Sequence, residues 1–135
     1  MRIMAVDYGD VRTGLAFSDL SATLVGEAFT IEEWDVERLA ARLIQEAEKR
    51  GVGRIVLGKP LNMDGSAGPR AEKSAALAAR LAQDSGLEVC LWDERRTTVD
   101  AHRILSETGN RGKKRKAKVD AVAAALILEA YLASL

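Results

Sequence analysis

Residues 3–6 (Ile-Met-Ala-Val) form an uninterrupted apolar run that stops on an acid, Asp7, with Gly9 close behind. A run without polar alternation describes a strand covered on both faces, and such a strand belongs in the middle of a sheet with layers above and below it. No other feature constrains the fold as much. The run also leaves a carboxylate at the carboxyl end of a buried strand. Such a group stays ionised only beside a cation, a hydrogen-bond donor or water, because burial alone favours the neutral acid. As a turn cap entering the hairpin 7–14, Asp7 is an ordinary residue. If other acids converge on the same place it becomes part of a site.

Taken in order, the chain supplies the rest of a sheet. The strand over 2–8 is followed by a turn at 10–13 and by short strands at 14–18 and near 27–31, the pattern of an antiparallel meander. Asp35 is placed to cap a helix over 36–50, in which Val36, Leu39, Ala40, Leu43, Ile44 and Ala47 share one face and Gly51 marks the end. A buried fourth strand at 54–58 leads into a loop rich in turn residues. Pro69 then opens a helix running to Ser85, and Gly86 closes it. The fifth strand, 87–92, holds the only cysteine, Cys90, which reads as a small core residue, and it stops on Asp93 and Glu94. Thr97 or Thr98 begins a short helix to about residue 108. After it, 111–118 reads as a basic loop and 119–135 as a helix apolar on every side, hence buried, with Asp120 in its first turn. The two crossovers require strands one, four and five to be parallel. The expected fold is α/β, a five-stranded mixed sheet of order 3-2-1-4-5 with helices on both faces.

A chain of 135 residues fits one domain, 1–135. One cysteine rules out an internal disulfide, no run approaches the roughly 18 apolar residues of a membrane span, and no signal-type segment is visible at the start. These features point to the cytoplasm and away from membranes. The formal charge of zero conceals an asymmetry: residues 95–118 hold nine Lys and Arg against two acids, and six of the nine fall within 111–118 (Arg111, Lys113, Lys114, Arg115, Lys116, Lys118). A block of like charge resists helix formation on its own and suits a polyanion.

Asp7, Glu94 and Asp120 fall at equivalent ends of this fold, at the carboxyl edge where open α/β sheets place their sites. Singly, each has a simple role available: a turn cap, a partner for Arg95 or Arg96, a favourable charge at a helix start. Together they repel unless a divalent cation lies between them, and hard oxygen donors select Mg²⁺ or Mn²⁺. With no His and Cys cluster in the sequence, zinc is disfavoured. Carboxylate-held metal beside concentrated positive charge fits phosphodiester hydrolysis, with Arg95 and the basic block binding phosphates. The loop 58–65 brings glycines and Asn62 to the same edge, where it is either a structural turn or a place of close backbone approach to substrate. The match of 53–60 to a P-loop fails, because its four middle residues form the strand and Pro60 replaces the metal-binding Ser or Thr. His102 and Trp92 read as packing residues.

The stretches Val6-Asp-Tyr-Gly9 with Gly14-Leu-Ala16, Gly58-Lys-Pro-Leu-Asn-Met-Asp-Gly65, Asp93-Glu-Arg-Arg-Thr-Thr98 and Asp120-Ala-Val-Ala-Ala-Ala125 closely resemble the YqgF-type family of the RNase H-like superfamily. These are bacterial proteins described as pre-16S rRNA nucleases and as Holliday junction resolvases. The resemblance implies an RNase H-like fold and a metal-dependent endonuclease acting on structured nucleic acid, either pre-rRNA at the 5′ end of 16S rRNA or branched DNA. Asp7, Glu94 and Asp120 match the family's acids. Lys59 stands where many members carry a small or apolar residue and adds a cation for phosphate. A resolvase working on a two-fold symmetric junction is expected to be a homodimer, whereas an rRNA nuclease can act as a monomer. The rival from another class is a non-catalytic nucleic-acid-binding module.

Overall fold

The computed structural model of the protein describes residues 1–96 and 112–135, with side chains in the last helix from residue 121 on. Strands β1 (Arg2–Asp7), β2 (Arg12–Ser18), β3 (Val25–Glu32), β4 (Val52–Lys59) and β5 (Glu88–Asp93) form one sheet in the order β3-β2-β1-β4-β5. The meander β1-β2-β3 is antiparallel, and β1, β4 and β5 are parallel, as the crossovers require. Helices α1 (Val36–Lys49) and α2 (Pro69–Ser85) cover one face, and α3 (Gly112–Ala133) covers the other.

Strand periodicity divides β1 between two cores. Met4 and Val6 join Leu15, Phe17, Ile55 and Leu57 against Leu39, Leu43, Leu77 and Leu81 of α1 and α2. Ile3 and Ala5 join Ala16, Val56 and Trp92 against Ala124, Ile127, Leu128 and Tyr131 of α3. This is why residues 3–6 show no alternation: every one of them is at most 1% exposed. The same two-residue period carries Asp7 to the α3 side of the sheet.

Local signals hold where the chemistry is local. The Asp35 carboxylate accepts from the amides of Glu37 (2.9 Å) and Arg38 (3.4 Å), so α1 starts where its cap predicts. Pro69 stands in the first turn of α2 and Gly86 closes it. The turn joining β2 to β3 is built on Asp19, whose carboxylate accepts from Ser21 Oγ (2.7 Å) and from the amides of Thr23 (2.8 Å) and Leu24 (3.2 Å). These donors, Ser21 first, hold its pKa down at about 2. A depressed carboxylate stabilises the fold above its unfolded pKa and loses that contribution as pH falls through the folded value. Asp19→Ala is therefore expected to lower Tm at pH 7, with the gap to wild type narrowing below pH 4 and closing only below pH 2 in a thermal melt series.

Three expectations are corrected. The basic stretch is not a loop, for α3 begins at Gly112 and carries Lys113, Lys114, Arg115, Lys116 and Lys118 on helical backbone. Nucleation is the costly step of a helix, and the docked segment beyond residue 121 supplies it, so Lys, Arg and Ala need only propagate. Cys90 is half-buried and not a core residue, because β5 is an edge strand, with Leu91 40% exposed beside it. β2, β3 and β4 are each longer than the apolar runs that announced them, extending to Arg12, to Val25 and Glu32, and to Val52 and Lys59. The helix expected up to residue 108, His102 and Arg111 lie outside the described residues. Among the described residues no helix is long and apolar enough to cross a membrane.

Candidate active site at the carboxyl edge of the sheet

The parallel strands end level with one another. Val6 is in register with Leu57, Gly58 with Trp92 and Lys59 with Asp93, so the tips of β1, β4 and β5 form one edge. Half-buried Asp7 closes β1 there, paired across the strand with Gly14 of β2. The turn beyond it is tight: a Cβ on Gly9 would lie 2.0 Å from the Arg12 carbonyl oxygen, so this backbone path admits no side chain at Gly9.

Glu94 opens a 3₁₀ turn (Glu94–Arg96) directly after β5, two strands from Asp7. Its side chain runs back over the tip of the intervening strand β4. A Cβ placed on Gly58 would sit 3.0 Å from Glu94 Cδ, 3.1 Å from its Cγ and 2.8 Å from Ile127 Cδ1. The absence of a side chain at Gly58 is what opens a lane on the α3 side of the sheet for the carboxylate of an edge strand to reach inward. The sequence leaves the glycines of this loop open to substrate approach or to a structural turn; at Gly58 the space is filled by the protein itself.

Adjacent acids here have opposite environments. Asp93 is held by Arg95, which donates from Nη2 (2.6 Å), Nε (3.0 Å) and its backbone amide (3.0 Å), and these bonds lower the Asp93 pKa. Burial raises the Glu94 pKa; Arg70 opposes that rise and Asp93 adds to it. Asp93 is thus a partnered structural acid, whereas among the described residues only Arg70 opposes the effect of burial on Glu94. Arg95, expected to bind phosphate, is engaged mainly with Asp93 and also donates to the Met63 carbonyl oxygen (3.4 Å). Arg96 lies over the ring of buried Trp92 (4.1 Å), which packs edge-on against Tyr131 (5.6 Å), and so fastens the turn to the core.

Arg70 escaped the sequence reading. From the first turn of α2 it donates to the Tyr8 carbonyl oxygen (2.6 Å), one residue beyond Asp7, and pairs with Asp10 (3.4 Å), which Lys73 also approaches (3.6 Å). Only its place just after Pro69, at a helix start facing the edge, could have marked it. Lys59 ends β4 at the same edge, half-buried. Asn62 is used within its own loop: its amide nitrogen donates to Ser66 Oγ (3.0 Å) and its backbone nitrogen to the Ser66 carbonyl oxygen (2.9 Å).

Asp120 belongs to α3, one turn before Ala124 and two before Ile127, on the stripe whose later members pack on the sheet. Its side chain, like those of Lys113, Lys114, Arg115, Lys116 and Lys118, is not among those described. Among the described residues no three His, Cys, Asp or Glu side chains cluster as a metal site. The donor chemistry nonetheless fits a hard cation: a partly buried carboxylate, Glu94, is threaded through a glycine gap on the side of the sheet that Asp7 also occupies. A groove of about 500 Å³ between Thr23, Leu24, Val25, Glu129, Leu132 and Ala133 lies at the opposite edge, away from these acids.

Residues 1–134 match the family model described as RuvX, Holliday junction resolvase. A protein of Halothermothrix orenii named "Putative pre-16S rRNA nuclease" is 44% identical, with 98% of this chain and 94% of that protein aligned. One of the same name from Pelotomaculum thermopropionicum is 42% identical, over 99% of this chain and 88% of its own length. Among solved structures, T. thermophilus RuvC in complex with a Holliday junction substrate superposes with a TM-score of 0.65 at 12% identity, covering 99% of this chain and 96% of that one. The fowlpox virus Holliday junction resolvase does so with a TM-score of 0.62 at 18% identity, covering all of both chains. At such identities these two likenesses establish the shared RNase H-like fold.

Proposed function

Since the chain belongs to the RuvX family of Holliday junction resolvases, a family of nucleases, we propose that it is a metal-dependent endonuclease that cuts phosphodiester bonds in structured nucleic acid. The observation that carries this reading is the Glu94 side chain laid across Gly58, desolvated, on the same side and edge of the sheet as Asp7. A structural acid would be partnered as Asp93 is. Asp7, Glu94 and Asp120 would hold Mg²⁺ or Mn²⁺, which when bound activates water and offsets charge on the leaving oxygen. The chain's own residues do the rest. The glycine gap orients Glu94, Arg70 fixes the β1 tip through the Tyr8 carbonyl oxygen, Lys59 contributes positive potential at the mouth of the site, and Arg95 binds phosphate by exchanging Asp93 for it. Arg111, Lys113, Lys114, Arg115, Lys116 and Lys118 bind flanking phosphates, and Asn62 shapes the loop 62–66.

The names of the relatives favour pre-16S rRNA as the substrate; our reading adds that a single domain, 1–135, processes it at its 5′ end in the cytoplasm. The family description favours the second reading, a four-way DNA junction cut by a homodimer. Presenting both substrates at equal concentration with Mn²⁺ separates the two. Preferential cut of the RNA leader by a protein that sediments as a monomer supports the first reading; paired symmetrical cuts of the junction by a dimer replace it with the second.

Neutralising Lys113, Lys114, Arg115 and Lys116 to Gln is expected to weaken binding and to flatten the dependence of log K on log salt by about 3 units. Turnover at saturating substrate should change little. A salt slope unchanged from wild type in a fluorescence titration would remove this segment from the interface.

A further inference from the structure

Met63 is 91% exposed, more than any other large apolar side chain described, and it lies in the loop after β4, whose backbone is bonded to Arg95 beside Glu94. Scattered exposed apolar residues are common and need no explanation. Met63 differs in how it is presented. The turn 62–66 that carries it is closed by the Gly65 amide donating to the Asn62 carbonyl oxygen (2.8 Å) and the Asn62 amide donating to that of Ser66 (2.9 Å). Asp64 adds further closure by accepting from the Ser66 amide (2.9 Å) and Oγ (2.6 Å). Arg95 then ties the Met63 carbonyl oxygen to the segment that bears Glu94. The closed turn therefore holds an unbranched, polarisable side chain out in water, on a loop bonded to the residue that follows Glu94. On this flank Asp93 is ion-paired with Arg95, while Asp64, bonded to the neutral Ser66, keeps its negative charge.

We infer that Met63 is a wedge that packs on a nucleobase beside the scissile phosphate and holds that base step unstacked. The inference rests on the endonuclease reading and deepens it: the preferred substrate is a paired or stacked strand that must be opened locally before its phosphate reaches the acids. Apolar side chains are inserted between base steps in this way, the lost stacking being offset by new contacts. Met suits the task because its flexible thioether adapts to any base face.

The test compares wild type, Met63→Ser and Met63→Leu on a hairpin RNA whose cut step is paired, and on the same RNA carrying a mismatch at that step. 2-Aminopurine beside the cut step reports unstacking by fluorescence, with or without turnover. Met63→Ser should slow cleavage of the paired RNA by about 10-fold or more, leave the mismatched RNA within about 3-fold, and lose the fluorescence rise; Met63→Leu should behave as wild type. Met63→Ser losing both substrates equally, or neither, overturns the wedge. Absence of cleavage by wild type itself would instead count against the nuclease reading, and the fluorescence of wild type against Met63→Ser would still decide the wedge.

Discussion

Asp7→Asn is expected to lower single-turnover cleavage by about 10³-fold or more while leaving nucleic-acid affinity within a few-fold of wild type. Asn keeps the size of Asp and one of its oxygens, so the β1 tip and its pairing with Gly14 should persist. What is removed is a negative donor. Outer partners of metal ligands already cost 10- to 100-fold when lost, and a ligand itself should cost more. Affinity behaves differently because it comes from cations. Taking a carboxylate away from a phosphate cannot weaken that attraction, so binding should hold or tighten slightly at fixed salt. A filter-binding curve beside a gel time course reads both quantities from one preparation. Parallel loss of binding and cleavage would mean that Asp7 organises the fold and not the chemistry.

The second large effect is predicted at a residue with no functional group. Gly58→Ala introduces a Cβ that meets Glu94 Cδ at 3.0 Å and Ile127 Cδ1 at 2.8 Å. Both atoms terminate side chains that can swing aside, so overpacking should cost only about 1–2 kcal/mol of stability. The displaced carboxylate is the larger matter, since misplacing a catalytic group by about 1 Å can cost 100-fold in rate. Adding Ile127→Val relieves the apolar part of the clash and leaves the one with Glu94. The double variant should therefore regain Tm but not cleavage. Recovery of both together would mean that Gly58 serves packing alone.

Much of this architecture was legible because its signals are local or periodic. Residues 3–6 announced a strand covered on both faces, Asp35 and Pro69 marked helix starts, and the alternation of apolar runs with crossovers led to the sheet order. Reading failed where one segment's state depends on a distant one. Charge repulsion in 113–118 is a local argument, and it was outweighed by the docked half of α3, which nucleates the helix from its far end. Cys90 was misplaced because an apolar run does not reveal which strand will lie at an edge. The acids Asp7 and Glu94 were visible as strand-end residues. Gly58 and Arg70 were not, because their roles exist only across strands: one is an opening between neighbours, the other a bond from α2 to the carbonyl beyond Asp7. A glycine ending the strand that separates two acid-bearing strands was the available clue, and it carries meaning only once the order β1-β4-β5 is known.

If carboxylates at the end of β1 and after β5 make this fold a metal-dependent nuclease, metal-stripped protein incubated with an RNA containing the 16S 5′ leader and with a four-way DNA junction, each with Mn²⁺ or with EDTA, should show it. Discrete cuts are expected in one of the two substrates with Mn²⁺, none with EDTA, and none with Asp7→Asn under either condition. Salt-sensitive binding of both substrates with neither cut in any lane would contradict the nuclease reading and would leave a nucleic-acid-binding module in its place.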